Sequence, residues 1–151
     1  MDKSARYKAD QKNLTPGLYI SQVNGGITTY DMRFLKPNTP PFLSNPVIHT
    51  IEHLFKAYAG KSKLADNVIY FGPMANRTGF YLIVKDLTGQ QAIDLIRETV
   101  GKSSSHMGEI PGISASECGN YKEHYLEGAR IALKQYYNLL KTYKVNNLSY
   151  N

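Results

Sequence analysis

The sequence predicts an α+β domain, an antiparallel sheet covered by helices, and three observations predict it. Two runs of β-forming residues, 18–23 and 27–35, flank the turn signal Asn24-Gly25-Gly26, which reads as a hairpin. A second pair of short β runs, 68–71 and 78–84, is joined through Gly72-Pro73-Met74-Ala75-Asn76-Arg77. Apolar residues at helical spacing follow each hairpin, so the order is hairpin, helix, hairpin, helix, helix. With 151 residues, the chain has the size of one domain spanning 1–151.

Residues 1–15 are polar and read as an N-terminal arm, irregular until a surface orders it. After the first hairpin, Pro37, Pro40 and Pro41 forbid regular structure as far as Ser44. Ser44 or Asn45 then caps a helix with Pro46 at its first position, and Gly60 is its stop. Val47, Ile51, Leu54, Phe55 and Tyr58 supply its apolar residues. Thr88 caps the second helix over 89–100, with Gly101 as its end. Residues 102–119 read as loop, and the last helix over about 121–143 is amphipathic through Leu126, Ile131, Leu133, Leu139 and Leu140.

Composition excludes several classes of function. Hydrophobic residues make up 42% and charged residues 20%, as in an ordinary soluble domain. No apolar run is long enough to span a bilayer and the N-terminus has no apolar signal core, so no membrane and a cytoplasmic location are expected. The net charge of +6 is scattered, with its densest set (Lys122, Arg130, Lys134, Lys141, Lys144) on the last predicted helix. That set reads as a solvated face, and no nucleic-acid partner is expected. One cysteine excludes an internal disulfide and fits a reducing compartment.

The chemistry is concentrated in His49-Thr50-Ile51-Glu52-His53 and the single Cys118. Histidines four apart lie on one helix face and can grip one ion, and a carboxylate beside them can act as a general base. The H-x-x-E-H order is the reverse of the common metalloprotease motif. A Cys/His/His set leaves a tetrahedral ion one open position, the arrangement of a catalytic site. Thiolate plus imidazole suits Zn²⁺, Fe²⁺ or Co²⁺ alike. His106 and His124 read as surface residues, with His124 as reserve ligand. Glu117 or Glu123 as third ligand would instead make an inverted-motif metallohydrolase.

Four segments resemble the S-ribosylhomocysteine lyase (LuxS) family. They are Tyr30-Asp31-Met32-Arg33-Phe34-Leu35-Lys36-Pro37-Asn38, His49 to Leu54, Pro73-Met74-Ala75-Asn76-Arg77-Thr78-Gly79-Phe80-Tyr81, and Glu117-Cys118-Gly119-Asn120-Tyr121. The resemblance implies a homodimer with two interfacial active sites, each holding one divalent ion, Fe²⁺ natively and often Zn²⁺ or Co²⁺ as isolated. It implies His49, His53 and Cys118 as metal ligands, Glu52 as an acid/base and Arg33 as a substrate-pocket residue. The ligand it implies is a sugar thioether, S-ribosylhomocysteine. Two proton carriers move a carbonyl along its ribose chain before β-elimination expels homocysteine and leaves the autoinducer precursor used in quorum sensing.

The chain departs from that pattern at the proton carriers. Asn76 stands where the family has its acid/base cysteine, and an amide does not titrate near neutral pH. Tyr70 stands where the family has an aspartate, Asp10 or Gln11 lies near its substrate-contacting histidine, and Ser4 matches its serine loosely. The expected substrate-side residues are therefore Ser4, Arg33, Tyr70 and Asn76. A diverged member lacking the usual catalytic cysteine is the reading. Tyr70, Asp10 or water is the substitute carrier if the chain is an authentic lyase, and a ligand-binding paralogue is the non-catalytic alternative.

Overall fold

The computed structural model describes residues 4–150. Its strands are β1 (Ser4–Arg6), β2 (Gly17–Asn24), β3 (Ile27–Arg33), β4 (Val68–Pro73) and β5 (Gly79–Lys85). Its helices are α1 (Asn45–Ala59), α2 (Gly89–Ser104) and α3 (Leu126–Leu140). The strands form one antiparallel sheet in the order β1-β2-β3-β5-β4. Asn24 pairs with Ile27 across a two-residue loop, and Gly25 takes φ 59, a left-handed conformation that glycine adopts without steric cost.

One face of the sheet carries Leu18, Tyr30, Met32, Phe71, Phe80 and Leu82, all buried. The three helices lie over that face and close a single core through Ile51, Leu54, Phe55, Ile93, Ile96 and Leu133. The α+β class expected from the order of elements is what the chain forms.

Local chemistry accounts for most boundaries. Ser44 caps α1 by accepting from Val47 N, and Thr88 with Gln91 forms a reciprocal capping box on α2. Three elements depart from the sequence reading. Ser4–Arg6 is not irregular, because its backbone pairs with Asn24, Val23 and Gln22 of β2. Gly101 does not end α2, which runs another turn to Ser104. A Cβ at position 101 would meet Tyr137 Cε1 at 2.8 Å, so this glycine serves the close approach of α2 to α3.

The last helix is shorter than expected at both ends, Leu126 to Leu140 instead of about 121–143. Residues just before it make contacts that a helix would forbid. Glu123 O faces His49 and Tyr125 N donates to Thr50 Oγ1 at 2.9 Å. Beyond its end, Tyr143 turns back onto β2. Its hydroxyl donates to Leu18 O at 2.7 Å and accepts from Leu18 N at 3.0 Å, as a neighbouring strand would.

Candidate metal centre

α1 and the loop leading into α3 build one cluster of donors. His49 and His53, one turn apart on α1, place their Nε2 atoms 3.2 Å apart. Cys118 Sγ lies 3.3 Å from His49 Nε2. His124 joins them, its Nε2 4.0 Å from Cys118 Sγ, and all four donor atoms lie within 4.8 Å of one another. The thiol is buried and the three imidazoles are half-buried.

Each ring nitrogen facing away from the centre has a partner. His49 Nδ1 donates to Glu123 O at 3.0 Å, and His53 Nδ1 donates to Pro111 O at 2.9 Å. A carbonyl only accepts, so these bonds place the proton on Nδ1 and the lone pair on Nε2. His124 Nδ1 lies 3.0 Å from Thr50 Oγ1. The single hydroxyl proton of Thr50 goes to Pro46 O at 2.9 Å, which leaves its oxygen to accept from His124. All three histidines therefore aim Nε2 lone pairs inward, with their tautomers set by outer partners as metal-ligating histidines require.

Lone pairs facing each other at 3.2 Å repel unless a cation or proton lies between them. A tetrahedral ion about 2.0–2.1 Å from nitrogen and about 2.3 Å from sulfur separates its nitrogens by about 3.4 Å and nitrogen from sulfur by about 3.6 Å. The separations of 3.2, 3.3 and 4.0 Å bracket those values, so these residues fit a metal ion. Burial, and then the neighbouring His49 and His53, push His124 below the ordinary imidazole value, which favours the neutral form that ligation needs.

The loop is locked so that Cys118 meets the helix. Cys118 N and Glu117 N both donate to Ser114 O, at 2.9 and 3.0 Å, and Ser114 Oγ donates to Glu117 Oε1 at 2.6 Å. Gly112, at φ 70, lies where a Cβ would meet His53 Nδ1 at 3.4 Å. The glutamates considered as third ligands do not join the cluster. Glu117 is held by Ser114, and Glu123 takes part through its carbonyl, with its carboxylate 3.8 Å from His49 Nδ1.

The other expected site residues fall in separate places. Glu52 lies on α1 beside His53 and accepts from Lys56 Nζ at 3.3 Å. Arg33 is buried, bridging Asp31 Oδ2 at 2.7 Å and Thr78 Oγ1 at 2.8 Å. Thr78 in turn donates from Oγ1 and N to Asn76 Oδ1, at 2.7 and 3.1 Å, so Arg33 and Asn76 share one polar chain. Asn76 is exposed, beside a hollow of about 450 Å³ that Gln11 and Asn38 also line. Tyr70, half exposed on edge strand β4, lines a different hollow with Phe55, Lys56 and Val68. Ser4 pairs through its backbone with Asn24.

Sequence reasoning placed His124 on the surface, and the structure corrects that reading. No spacing signal marks it in the sequence; the folded loop brings it to α1, where its Nδ1 meets Thr50. His106 has a structural place, accepting from Tyr58 Oη at 2.7 Å and donating to Glu109 O at 2.8 Å. Among the described residues, no helix is long and apolar enough to cross a membrane.

Comparison with known proteins agrees with this arrangement. The family described as S-ribosylhomocysteinase (LuxS) matches residues 5–147. Relatives named S-ribosylhomocysteine lyase are 41% identical in Finegoldia magna, 38% in Borreliella afzelii and 36% in Clostridium acetobutylicum. Each alignment covers 99% of this chain and 99% of the relative. A match of that extent, on a fold that gathers His49, His53 and Cys118 at one point, shows that the chain belongs to the S-ribosylhomocysteinase (LuxS) family.

Proposed function

We propose that the chain is a divalent-metal protein that binds S-ribosylhomocysteine and cleaves it slowly. The observation that carries this reading is the convergence of four donors with their outer partners in place, in a chain whose residue 76 is Asn. A divalent ion held there supplies a Lewis acid that polarises a sugar carbonyl. Fe²⁺ is the native ion by resemblance, with Zn²⁺ or Co²⁺ able to replace it.

The chain's own residues divide the remaining work. Glu52, beside His53, is the acid/base that removes and returns protons along the sugar. Arg33 orients the ligand, and its buried Nε has no hydrogen-bond partner within the described chain. Asn76 ends the polar chain that starts at Arg33, so it can hydrogen bond a sugar oxygen but cannot carry a proton. Tyr70 and Ser4 complete the proposed substrate side, and the relevant unit is a homodimer. Exposed Ile69, Tyr70 and Tyr81 on the last two strands of the sheet supply apolar surface for such contacts. Light scattering at the mass of one chain would remove the dimer from this account.

The high identity to proteins named as lyases also supports a second reading, full lyase turnover with Tyr70, Asp10 or water as the second carrier. Calorimetric titration of the metal-loaded protein with S-ribosylhomocysteine tests the binding that both readings share. Saturable binding, lost on chelation and in Cys118→Ser, is expected. Absence of binding by a fully loaded protein would contradict both.

A further inference from the structure

Alternation along β3 turns Asp31 and Arg33 to the sheet face opposite the helices, yet both are buried, at 1% and 2% exposure. Tyr150 supplies cover at Asp31. Beyond α3 the chain runs back along β2, where Leu148 O accepts from Ile20 N at 2.7 Å. Tyr150 then stacks on Tyr19, with centroids 5.0 Å apart and planes at 26°. Tyr19 is the register partner of Asp31, and the Tyr150 hydroxyl donates to Asp31 Oδ2 at 2.6 Å. Burial, and then that bond to Asp31, push the phenol far above its ordinary value, so it keeps the proton it donates.

The ion pair beneath Tyr150 is incomplete. An arginine beside a carboxylate commonly makes two parallel bonds. Arg33 makes one, from Nη2 to Asp31 Oδ2 at 2.7 Å, while its Nη1 donates to Thr78 Oγ1 at 2.8 Å. Arg33 Nε and Asp31 Oδ1, the atoms that a second bond would use, are both buried with no hydrogen-bond partner among the described residues. Buried polar atoms left without partners cost stability, so the guanidinium is held away from the paired geometry. Tyr150 holds it from one side by giving Oδ2 a second donor, and Thr78 holds it from the other. Without the phenol, Asp31 keeps Arg33 as its one donor, and a second bond from Nε turns the planar guanidinium. Nη1 then leaves Thr78, whose hydroxyl orients Asn76 Oδ1 at 2.7 Å.

We propose that Tyr150 is a positioning residue for the ligand, its phenol acting through Asp31 to hold Arg33 where Thr78 and Asn76 stay in place. This inference rests on the function reading above, in which Arg33 and Asn76 meet the sugar. The segment that follows α3 thereby sets ligand affinity through Arg33, not through the metal centre.

The test compares the unaltered full chain with Tyr150→Phe, which keeps the ring on Tyr19. In the ligand-free protein, the Arg33 Nε–H resonance should move downfield in Tyr150→Phe and exchange more slowly with water, as Nε takes Asp31 Oδ1. In calorimetry of the metal-loaded protein, S-ribosylhomocysteine should bind ~2–10-fold more weakly, the worth of one hydrogen bond, with metal affinity unchanged. Thr78→Val cuts the same chain beyond Arg33, so Tyr150→Phe should weaken binding no further in that background. An unmoved Nε–H resonance, equal ligand affinity, or a full loss that persists in Thr78→Val would overturn the inference and leave the function reading intact. Absence of binding by the unaltered loaded protein would overturn the function reading, and the resonance would still decide whether Tyr150 holds Arg33.

Discussion

Thr50 Oγ1 and His124 Nδ1 are 3.0 Å apart, and this bond ties the metal-site loop to the helix that carries His49 and His53. Thr50 is fully buried and one hydroxyl meets Pro46 O, His124 Nδ1 and Tyr125 N. It therefore fixes the ring of His124 and the entry into α3 together.

Thr50→Val keeps the shape and removes all three bonds. Metal affinity should fall by ~10–100-fold, as for loss of an outer partner of a ligand. Thr50→Ser, which keeps the hydroxyl, should stay near the unaltered value. Competition with a chromogenic chelator measures both, and equal affinities for the two variants would show that the hydroxyl has no positioning role.

Tyr143 should give the chain a pH-dependent stability at the alkaline end. Burial holds its phenol above the ordinary value of 10.0, at about 12, despite the hydrogen bond to Leu18 that works the other way. The folded state thus prefers the neutral phenol. Its contribution is complete below pH 10, the unfolded value, and is lost as pH rises from 10 towards about 12. Tyr143→Phe should cost about 1–3 kcal/mol at neutral pH, because Leu18 N–H and C=O lose their partner. It should also flatten the alkaline slope in denaturant titrations, and an unchanged slope would place the titrating group elsewhere.

On the proposed function, Asn76 limits how much chemistry the site performs. Loss of a general acid/base costs about 10²–10⁴-fold in rate. Asn76→Cys should therefore raise homocysteine release over the unaltered chain, and Asn76→Ala should lower it by about tenfold or less, the loss of one hydrogen bond to the sugar, since the amide carries no proton. A large fall in Asn76→Ala would show that the amide itself acts, through its bonds to Thr78. If Asn76→Cys gains nothing, Tyr70→Phe is the variant that asks whether the phenol is the carrier.

Much of this was legible in the sequence because the signals were local. Asn24-Gly25-Gly26 marks a hairpin, Ser44 with Pro46 marks a helix start, and spacing alone puts His49 and His53 on one face. Cys118 was visible as the single thiol. What was not legible depends on contacts between distant residues. Gly101 reads as a stop until Tyr137 of another helix lies against it. Residues 121–125 read as helix until their carbonyl and amide groups are needed by His49 and Thr50. His124 has no spacing motif with the α1 pair, so only the folded loop reveals it beside them. Ser4–Arg6 lacks an apolar pattern, and β2 supplies its order.

The most direct test of the account is homocysteine release from S-ribosylhomocysteine by the unaltered, iron-loaded protein, followed with a thiol reagent in parallel with a chelated sample. Slow release that disappears on chelation is expected, at a rate ~10²–10⁴-fold below that of a family member with the acid/base cysteine in place. Release at an ordinary lyase rate, or release that persists without metal, would contradict it.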